Sequence, residues 1–415
     1  MALATLLILS PLCAFAQQSA PDQSEPEPAG GWRLGWETHP QMEWRALRLE
    51  FRAQLRAENS DSDGPIRNVD SNTFDIGRRR LGIDGAIGRR LRFQAEAEIE
   101  SDEPVRDLYL DYRAGRAAQI RGGRFKLPFG LEENISHTRI EFVRRTLMSN
   151  RLAPGRDNGL MLYGRVARIG YETGVFAHDG ENAQPGRAVR VFGGPTIAGR
   201  ITLEPFRGAK ASAADLELAA AFTQSSLPEG YPAVRGRMVL GAAFFDADYW
   251  VSGLRRRTGF ELRWRPGPFA FTAEAITLTD ERRGQSLERS DLPPVDTRGW
   301  YISGSWVVAG ADRASKVDEP RTPLFGGGWG SLQLAVRQEA LTFGRFDAEA
   351  PLVIHRAVSI PGSEDTATTG GLTWYATRWT RIQVNVVRER LRGTLREPAP
   401  PSRVWDRLVS FQVVI

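Results

Sequence analysis

Apolar and polar residues alternate one by one over several long stretches of the chain. In the run LRFQAEAEIE at 91–100, every odd position is apolar and every even position is polar or charged. The run LRLEFRAQLRA at 47–57 follows the same rule. Because successive side chains of a β-strand point to opposite faces of the sheet, each run predicts a strand with one apolar and one polar face.

Sixteen segments with this alternation, some less regular, follow one another along the chain. The predicted strands are 44–57, 74–87, 91–100, 106–113, 117–125, 157–168, 170–178, 189–203, 214–224, 256–265, 269–279, 299–309, 330–343, 367–376, 381–390 and 403–415. An even number is expected when both ends of the chain lie on the same side of a membrane. Residues 237–251 are apolar enough for a strand, but we assign them to a long loop because a seventeenth strand would break this parity.

Three features favour a membrane barrel over a water-soluble sandwich. Many segments are close to the length of about ten residues that a tilted transmembrane strand requires. Short connections, such as 88–90 and 266–268, alternate with long ones, and aromatic residues stand near the strand ends, where amphipathic rings suit a bilayer interface. The predicted fold is therefore all-β: a 16-stranded antiparallel transmembrane β-barrel with long extracellular loops and short periplasmic turns. The alternative from a different class is an exported all-β binding or adhesion protein without a pore.

The amino end of the chain predicts export. Residues 2–9 are almost wholly apolar and the run AFA at 14–16 has a small-x-small pattern, so residues 1–16 are expected to be a signal peptide. Residues 17–43 are rich in Pro, Glu, Gln, Ser and Gly, which predicts a disordered linker. The barrel is expected to occupy residues 44–415. After the signal peptide no stretch reaches the roughly 20 apolar residues that a membrane-spanning helix needs.

Several motifs in this order resemble a known family. They are RRRLGIDG at 78–85, DLYLDY at 107–112, GRFKLPFGLEE at 123–133, SNRLAPGR at 149–156, GWYISGS at 299–305 and GWGSLQLAVR at 328–337. The chain is similar here to the phosphate-selective porin O/P family of Gram-negative outer membranes. This resemblance implies a homotrimer of sixteen-stranded barrels in the outer membrane, in contact with lipid and lipopolysaccharide, whose pore carries phosphate or a related small anion past basic residues. A general, non-selective porin remains the alternative within the channel class.

The connection 126–156 is the candidate constriction of such a pore. It carries six basic side chains against the three carboxylates Glu132, Glu133 and Glu141; the basic ones are Lys126, Arg139, Arg144, Arg145, Arg151 and Arg156. A narrow passage lined by positive charge concentrates anions, and guanidinium groups match phosphate oxygens with two parallel donors. We therefore predict that these six residues bind the transported anion if the loop lies in the lumen.

Two other interpretations of the charges stay open at this point. The loop arginines could pair with acidic wall residues such as Glu96 and Glu98, or contact lipopolysaccharide. A second basic group in the long loop before the tenth strand either extends the basic path outward or is solvated, and we favour the solvated interpretation; it comprises Arg235, Arg237, Arg255, Arg256 and Arg257. The polar faces of the first and third strands carry both signs of charge, which predicts a mixed wall with ordinary ion pairs.

Composition and motifs give little support to other functions. One cysteine excludes a disulfide scaffold, and none of the four histidines has a partner at a known catalytic or metal-binding spacing. The histidines are therefore expected to be surface residues. We predict no enzymatic activity, no catalytic or metal-binding residues, no cofactor and no nucleic-acid partner.

Overall fold

The alternating segments form sixteen antiparallel strands, and the last strand pairs with the first. The computed structural model describes residues 31–33, 41–44, 46–63, 73–101, 104–183, 193–208, 215–246, 249–348, 356–393 and 402–415. Each strand bonds to its neighbours in chain order, and the sheet closes where Val414 pairs with Gln54 and Asp406 with Ser62. The predicted 16-stranded barrel is confirmed. Within the described residues, each of the sixteen barrel strands therefore pairs with a neighbour on both sides, as a sheet in lipid requires.

The strands of the barrel are numbered β1 to β16. They are β1 Leu47–Ser62, β2 Thr73–Ile87, β3 Leu91–Glu98, β4 Val105–Arg113, β5 Gln119–Lys126, β6 Arg156–Val166, β7 Ile169–Phe176, β8 Thr196–Leu203, β9 Glu217–Pro232, β10 Trp250–Trp264, β11 Phe269–Arg282, β12 Leu292–Ala309, β13 Ser331–Phe343, β14 Ser363–Tyr375, β15 Thr380–Arg392 and β16 Arg403–Val414. We call the end where β1 begins the turn end and the opposite end the loop end.

The structure differs from the predicted boundaries mainly at the loop end. β10 begins at Trp250 rather than at 256, because its first residues still pair with the end of β9. β9, β12 and β14 are longer than predicted for the same reason: they continue as paired ribbons beyond the alternating core. Hydrophobic alternation marks the part of a strand between lipid and lumen, so it does not show where a ribbon continues into water.

The amino-terminal segment contributes a short hairpin to the turn end. Strand Gly31–Arg33 pairs with strand Gln41–Trp44, and the latter pairs with the start of β1. Part of the segment expected to be a linker is thus strand. The predicted signal peptide and the rest of that segment lie outside the described residues.

The outer face of the barrel is apolar. Leu110, Leu160, Ile302 and Val336 stand half-exposed or more on it, each on a different strand. Exposed aromatic side chains lie near both rims, for example Trp264 at the turn end and Trp405 at the loop end. Soluble monomers rarely expose a continuous apolar surface of this kind, and a lipid-facing band between two aromatic girdles is typical of membrane barrels. Among the described residues, no helix has the length and apolar character to cross a membrane.

The connection between β5 and β6 folds into the barrel. We call residues 127–155 the inner loop; it includes one helical turn, Leu131–Asn134. Phe129 packs against Gly259 of β10, Met148 against Gly299 of β12 and Phe142 against Gly371 of β14. A Cβ atom at Gly299 would lie 2.5 Å from that of Met148. These three wall glycines therefore leave the space that the inner loop fills.

The segment between β9 and β10 also enters the barrel. The apolar stretch at 237–251, predicted as one loop, differs in two places: Trp250 and Val251 belong to β10, and a two-stranded sheet of Gly236–Arg237 and Ala243–Phe245 lies within the β9–β10 connection. Phe245 stacks on Phe343 of β13 with ring centres 4.2 Å apart. The apolar character of this segment therefore reflects packing inside the barrel. The long connection between β12 and β13 carries two 3₁₀ turns, Ala314–Lys316 and Leu324–Gly326, at the turn end.

Apolar side chains of β6 face the lipid, so a charge introduced among them should destabilise the barrel more in the middle of the bilayer than at its edge. Leu160 lies near the middle of β6 and Val166 at its turn end, on the same face. We expect Leu160→Arg to lower the free energy of unfolding in lipid vesicles by about 2–4 kcal/mol and Val166→Arg by about 0–1 kcal/mol. Equilibrium unfolding in denaturant measures both values. Equal effects of the two substitutions would contradict a lipid-facing β6.

Candidate functional site

Side chains of the wall hold the inner loop in place. Three buried wall residues, Glu274 of β11, Glu339 of β13 and Asn385 of β15, accept hydrogen bonds from its backbone N–H groups. These bonds run from Leu131 N to Glu274 at 2.9 Å, from Leu147 N to Glu339 at 2.6 Å and from Val143 N to Asn385 at 2.7 Å. Buried N–H groups need such acceptors, because leaving one unpaired costs about 1–3 kcal/mol. The inner loop is therefore a fixed part of the lumen.

Three of the predicted site residues surround one buried carboxylate of the inner loop. Lys126 Nζ donates to the carbonyl oxygen of Glu133 and lies 3.4 Å from its carboxylate, and Arg145 Nε lies 4.0 Å from the same carboxylate. Burial raises the pKa of Glu133, but the positive charges of Lys126, Arg145 and Arg156 outweigh it and hold that pKa below its usual value. Glu133 is therefore ionised and partly neutralises the three cations.

Arg156, the first residue of β6, binds a nearby part of the wall. Its guanidinium donates two hydrogen bonds to Asp107 of β4, at 3.0 and 2.8 Å, and a third to Glu181 at 3.4 Å. Glu181 lies in the β7–β8 connection and also accepts hydrogen bonds from Arg106 and Arg124, at 3.0 Å each. Arg156 thereby joins the inner loop to a group of wall arginines on β4 and β5.

Arg144 faces the first strands of the barrel. Its side chain is about half-exposed, and its guanidinium lies 2.6 Å from Glu58 of β1. Arg56, two residues before Glu58, donates to the carbonyl oxygen of Val143. Arg78 of β2 lies within electrostatic reach of Arg56 and Arg145. Arg144 and Arg145 thus face basic residues of the wall.

The other two predicted residues lie elsewhere. The side chain of Arg139 is 75% exposed at the turn end, 3.9 Å from Asp318 of the long β12–β13 connection. Arg151 faces the β9–β10 connection, which contains Arg237. Burial lowers the pKa of Arg151 to about 10, and the positive charge of Arg237 lowers that pKa further. The structure therefore brings four of the six predicted residues together, namely Lys126, Arg144, Arg145 and Arg156.

We call the charged group at this position the lumenal basic cluster. Its basic members are Arg56, Arg78, Arg80, Arg106, Arg124, Lys126, Arg144, Arg145 and Arg156, and its acidic members are Glu58, Glu96, Glu98, Asp107, Glu133 and Glu181. Nine positive and six negative charges leave an excess of three positive charges. Residues from six strands, β1 to β6, and from two connections form the cluster.

Most wall members of the cluster were not predicted as site residues. Alternation in β2 and β3 puts Arg78 and Arg80 on the face that also carries Glu96 and Glu98, but it does not show which strand faces the inner loop. Glu96 and Glu98 pair with Arg80 at 2.9 and 2.8 Å, as a mixed wall predicts, and not with arginines of the inner loop.

The solvated interpretation of the second basic group is wrong for two of its members. Arg255 and Arg257 lie on β10, fully buried, where both bind Asp179 of the β7–β8 connection and Arg255 also binds Asp280. Because β10 begins at Trp250 and not at 256, both residues lie within the strand, and their side chains point into the barrel. Arg256 between them points outward with a half-exposed side chain, and Arg235 pairs with Asp246 with its side chain exposed.

His137 also differs from the prediction that the histidines are surface residues. Its Nε2 accepts a hydrogen bond from Arg145 Nε at 3.1 Å, within the inner loop. Burial, with the positive charge of Arg145 next in importance, lowers its pKa well below 6.5. His137 is therefore a neutral acceptor that holds Arg145 in position.

Comparisons with known proteins agree with this architecture. A family model described as phosphate-selective porin O and P matches residues 49–400. No curated protein matches the chain. The fold is similar to the outer membrane channel DcaP of Acinetobacter baumannii, with a TM-score of 0.57 and 9% identity over 90% of this chain and 99% of that one.

Two further solved structures show the same fold. An anion-selective porin from Comamonas acidovorans gives a TM-score of 0.54 at 10% identity, over 89% of this chain and 100% of that one. The trimer form of OmpT, an outer membrane protein of Vibrio cholerae, gives 0.52 at 12% identity, over 89% and 100%. Likeness at such identities establishes the barrel fold and nothing finer.

The neutral state of His137 predicts a pH dependence of stability. The unfolded chain takes up a proton at this histidine near pH 6.5, whereas the folded chain does not, so the free energy of unfolding falls as the pH decreases below 6.5. His137→Gln keeps an acceptor for Arg145 and removes this proton uptake. We expect the variant to lose less stability than the wild type between pH 7 and pH 5, by up to about 1.4 kcal/mol per pH unit. Denaturant unfolding at several pH values measures this, and parallel profiles would contradict a depressed pKa.

Proposed function

The chain belongs to the phosphate-selective porin O and P family, and from this we propose that it is an outer-membrane porin that prefers anions and carries phosphate or a related oxyanion. It acts as a passive diffusion channel and has no catalytic role. Because the chain forms a closed barrel and belongs to a porin family, we favour a channel over the alternative, an exported binding protein without a pore.

The observation that carries the anion preference is the charge excess of the lumenal basic cluster. The inner loop fills the side of the lumen next to β10, β12 and β14, and the cluster lies where that loop faces β1 to β6. In a narrow aqueous passage with walls of low dielectric constant, wall charges of one sign raise the local concentration of the counter-ion. An excess of three positive charges there favours anions.

Exposed guanidinium groups in the cluster support an oxyanion. The side chain of Arg144 is about half-exposed, and those of Arg106 and Arg124 are about one-fifth exposed. A guanidinium group presents planar N–H donors at the spacing of phosphate oxygens. The six carboxylates of the cluster compete for the same donors, which keeps anion binding weak enough for release, as conduction requires.

The assembly and its surroundings are part of the proposal. We expect a homotrimer, which the family implies and with which the trimer form of the structurally similar OmpT is consistent. The apolar outer face is suited to the lipid of the outer membrane and to lipopolysaccharide.

Reversal potentials in planar bilayers test the proposed function. In a KCl gradient we expect a potential of the sign that chloride permeation produces, and we expect added phosphate to reduce the chloride current. Chloride preference without reduction by phosphate would leave a general anion porin. A potential near zero would indicate a non-selective porin, and preference for potassium would refute the proposal.

Two arginines of the inner loop provide a matched pair of variants. Arg144→Ala removes a charge from the lumenal basic cluster, whereas Arg139→Ala removes one at the turn end. We expect Arg144→Ala to lower the chloride-to-potassium permeability ratio by roughly twofold to fivefold. This is the size of effect that one unit charge has on an ion several ångströms away at an intermediate dielectric constant. Arg139→Ala should change the ratio less. A larger effect of Arg139→Ala than of Arg144→Ala would indicate that the selective region lies at the turn end.

A further inference from the structure

The carboxylate of Glu181 lies between the side chains of three arginines. Its Oε1 accepts a hydrogen bond from Arg106 at 3.0 Å and a longer one from Arg156 at 3.4 Å, and its Oε2 accepts one from Arg124 at 3.0 Å. The donors come from β4, β5 and β6, whereas Glu181 comes from the β7–β8 connection. Both carboxylate oxygens are thus bound as the oxygens of a free anion would be.

The backbone on both sides of Glu181 is anchored without its carboxylate. On one side, the buried Asp179 accepts hydrogen bonds from Arg255 at 2.9 Å and from Arg257 at 2.5 and 2.8 Å. On the other side, Asn182 donates from Nδ2 to the carbonyl oxygen of Ala153 at 3.0 Å and from its backbone N–H to that of Pro154 at 3.1 Å.

Gly180 completes this anchor. It has a φ of +87° and passes so close to the carbonyl oxygen of Pro154 that a Cβ atom would collide with it. The end of the inner loop and the start of the β7–β8 connection therefore form one unit, which presents Glu181 to the arginines. Removal of the carboxylate leaves this unit in place.

We infer that Glu181 is a built-in counter-anion that limits the anion preference of the channel, and that without its carboxylate the three arginines form a binding site for small carboxylates. The first part rests on the proposed function, because it concerns how strongly the channel prefers anions. The second part depends only on the geometry around Glu181. Asp107 remains bound to Arg156 and Glu98 remains 3.9 Å from Arg106 in either case, so the site keeps two acidic neighbours.

A nearly isosteric variant tests the first part. Glu181→Gln removes one negative charge and keeps the size of the side chain, so we expect the chloride-to-potassium permeability ratio to rise roughly twofold to fivefold. Asp347→Asn is the matched control, because it removes the same charge from an exposed side chain in the β13–β14 connection at the loop end. It should change the ratio less. An unchanged ratio in Glu181→Gln, or a shift towards potassium, would overturn the first part.

Chemical rescue tests the second part. In Glu181→Ala the space of the carboxylate is open, and we expect acetate to reduce the chloride current at concentrations at least tenfold lower than in the wild type or in Glu181→Gln. Heat-modifiable migration on gels verifies that each variant is folded. Equal sensitivity to acetate in all three proteins would overturn the carboxylate site.

The outcomes separate this inference from the proposed function. A wild type without anion preference refutes the proposed function, whereas the acetate experiment still decides whether the three arginines form a carboxylate site. A wild type that prefers anions, together with variants that behave like it, refutes the inference alone.

Discussion

The hydrogen bonds between wall side chains and the backbone of the inner loop are the interaction on which the channel depends. A barrel of sixteen strands encloses a wide aqueous space, which by itself discriminates little between small solutes. Glu274, Glu339 and Asn385 supply acceptors for backbone N–H groups that the loop cannot satisfy internally. With the loop fixed on one side, the charged residues of the other side can act on a passing ion at short range.

Much of the fold could be predicted because one physical rule applies to every strand. A strand between lipid and lumen must alternate, so the sequence indicated all sixteen strands in order. It did not show the ends of the longer ribbons, such as the start of β10 at Trp250, because in water both faces of a strand can be polar. In the segment before β10, apolar residues do not mark a wall strand. Phe245 of this segment packs on Phe343 inside the barrel.

The site was less predictable, since it is assembled from residues far apart in the sequence. Charge within one loop pointed to Lys126, Arg144, Arg145 and Arg156, but the same argument also included Arg139 and Arg151, which lie elsewhere. The wall arginines enter the site through the register of several strands, which a single sequence does not specify. Arg257 is the clearest example: Asp179, 78 residues away, is its buried partner.

The three wall glycines opposite the inner loop have a consequence for how such channels diversify. Gly259, Gly299 and Gly371 set how closely the loop approaches the wall, since each receives a large side chain of the loop. The free cross-section is therefore governed by the volume of a few residues and not by strand number alone. Relatives with the same barrel could evolve wider or narrower passages by single replacements at such positions, without any change in the lipid-facing surface.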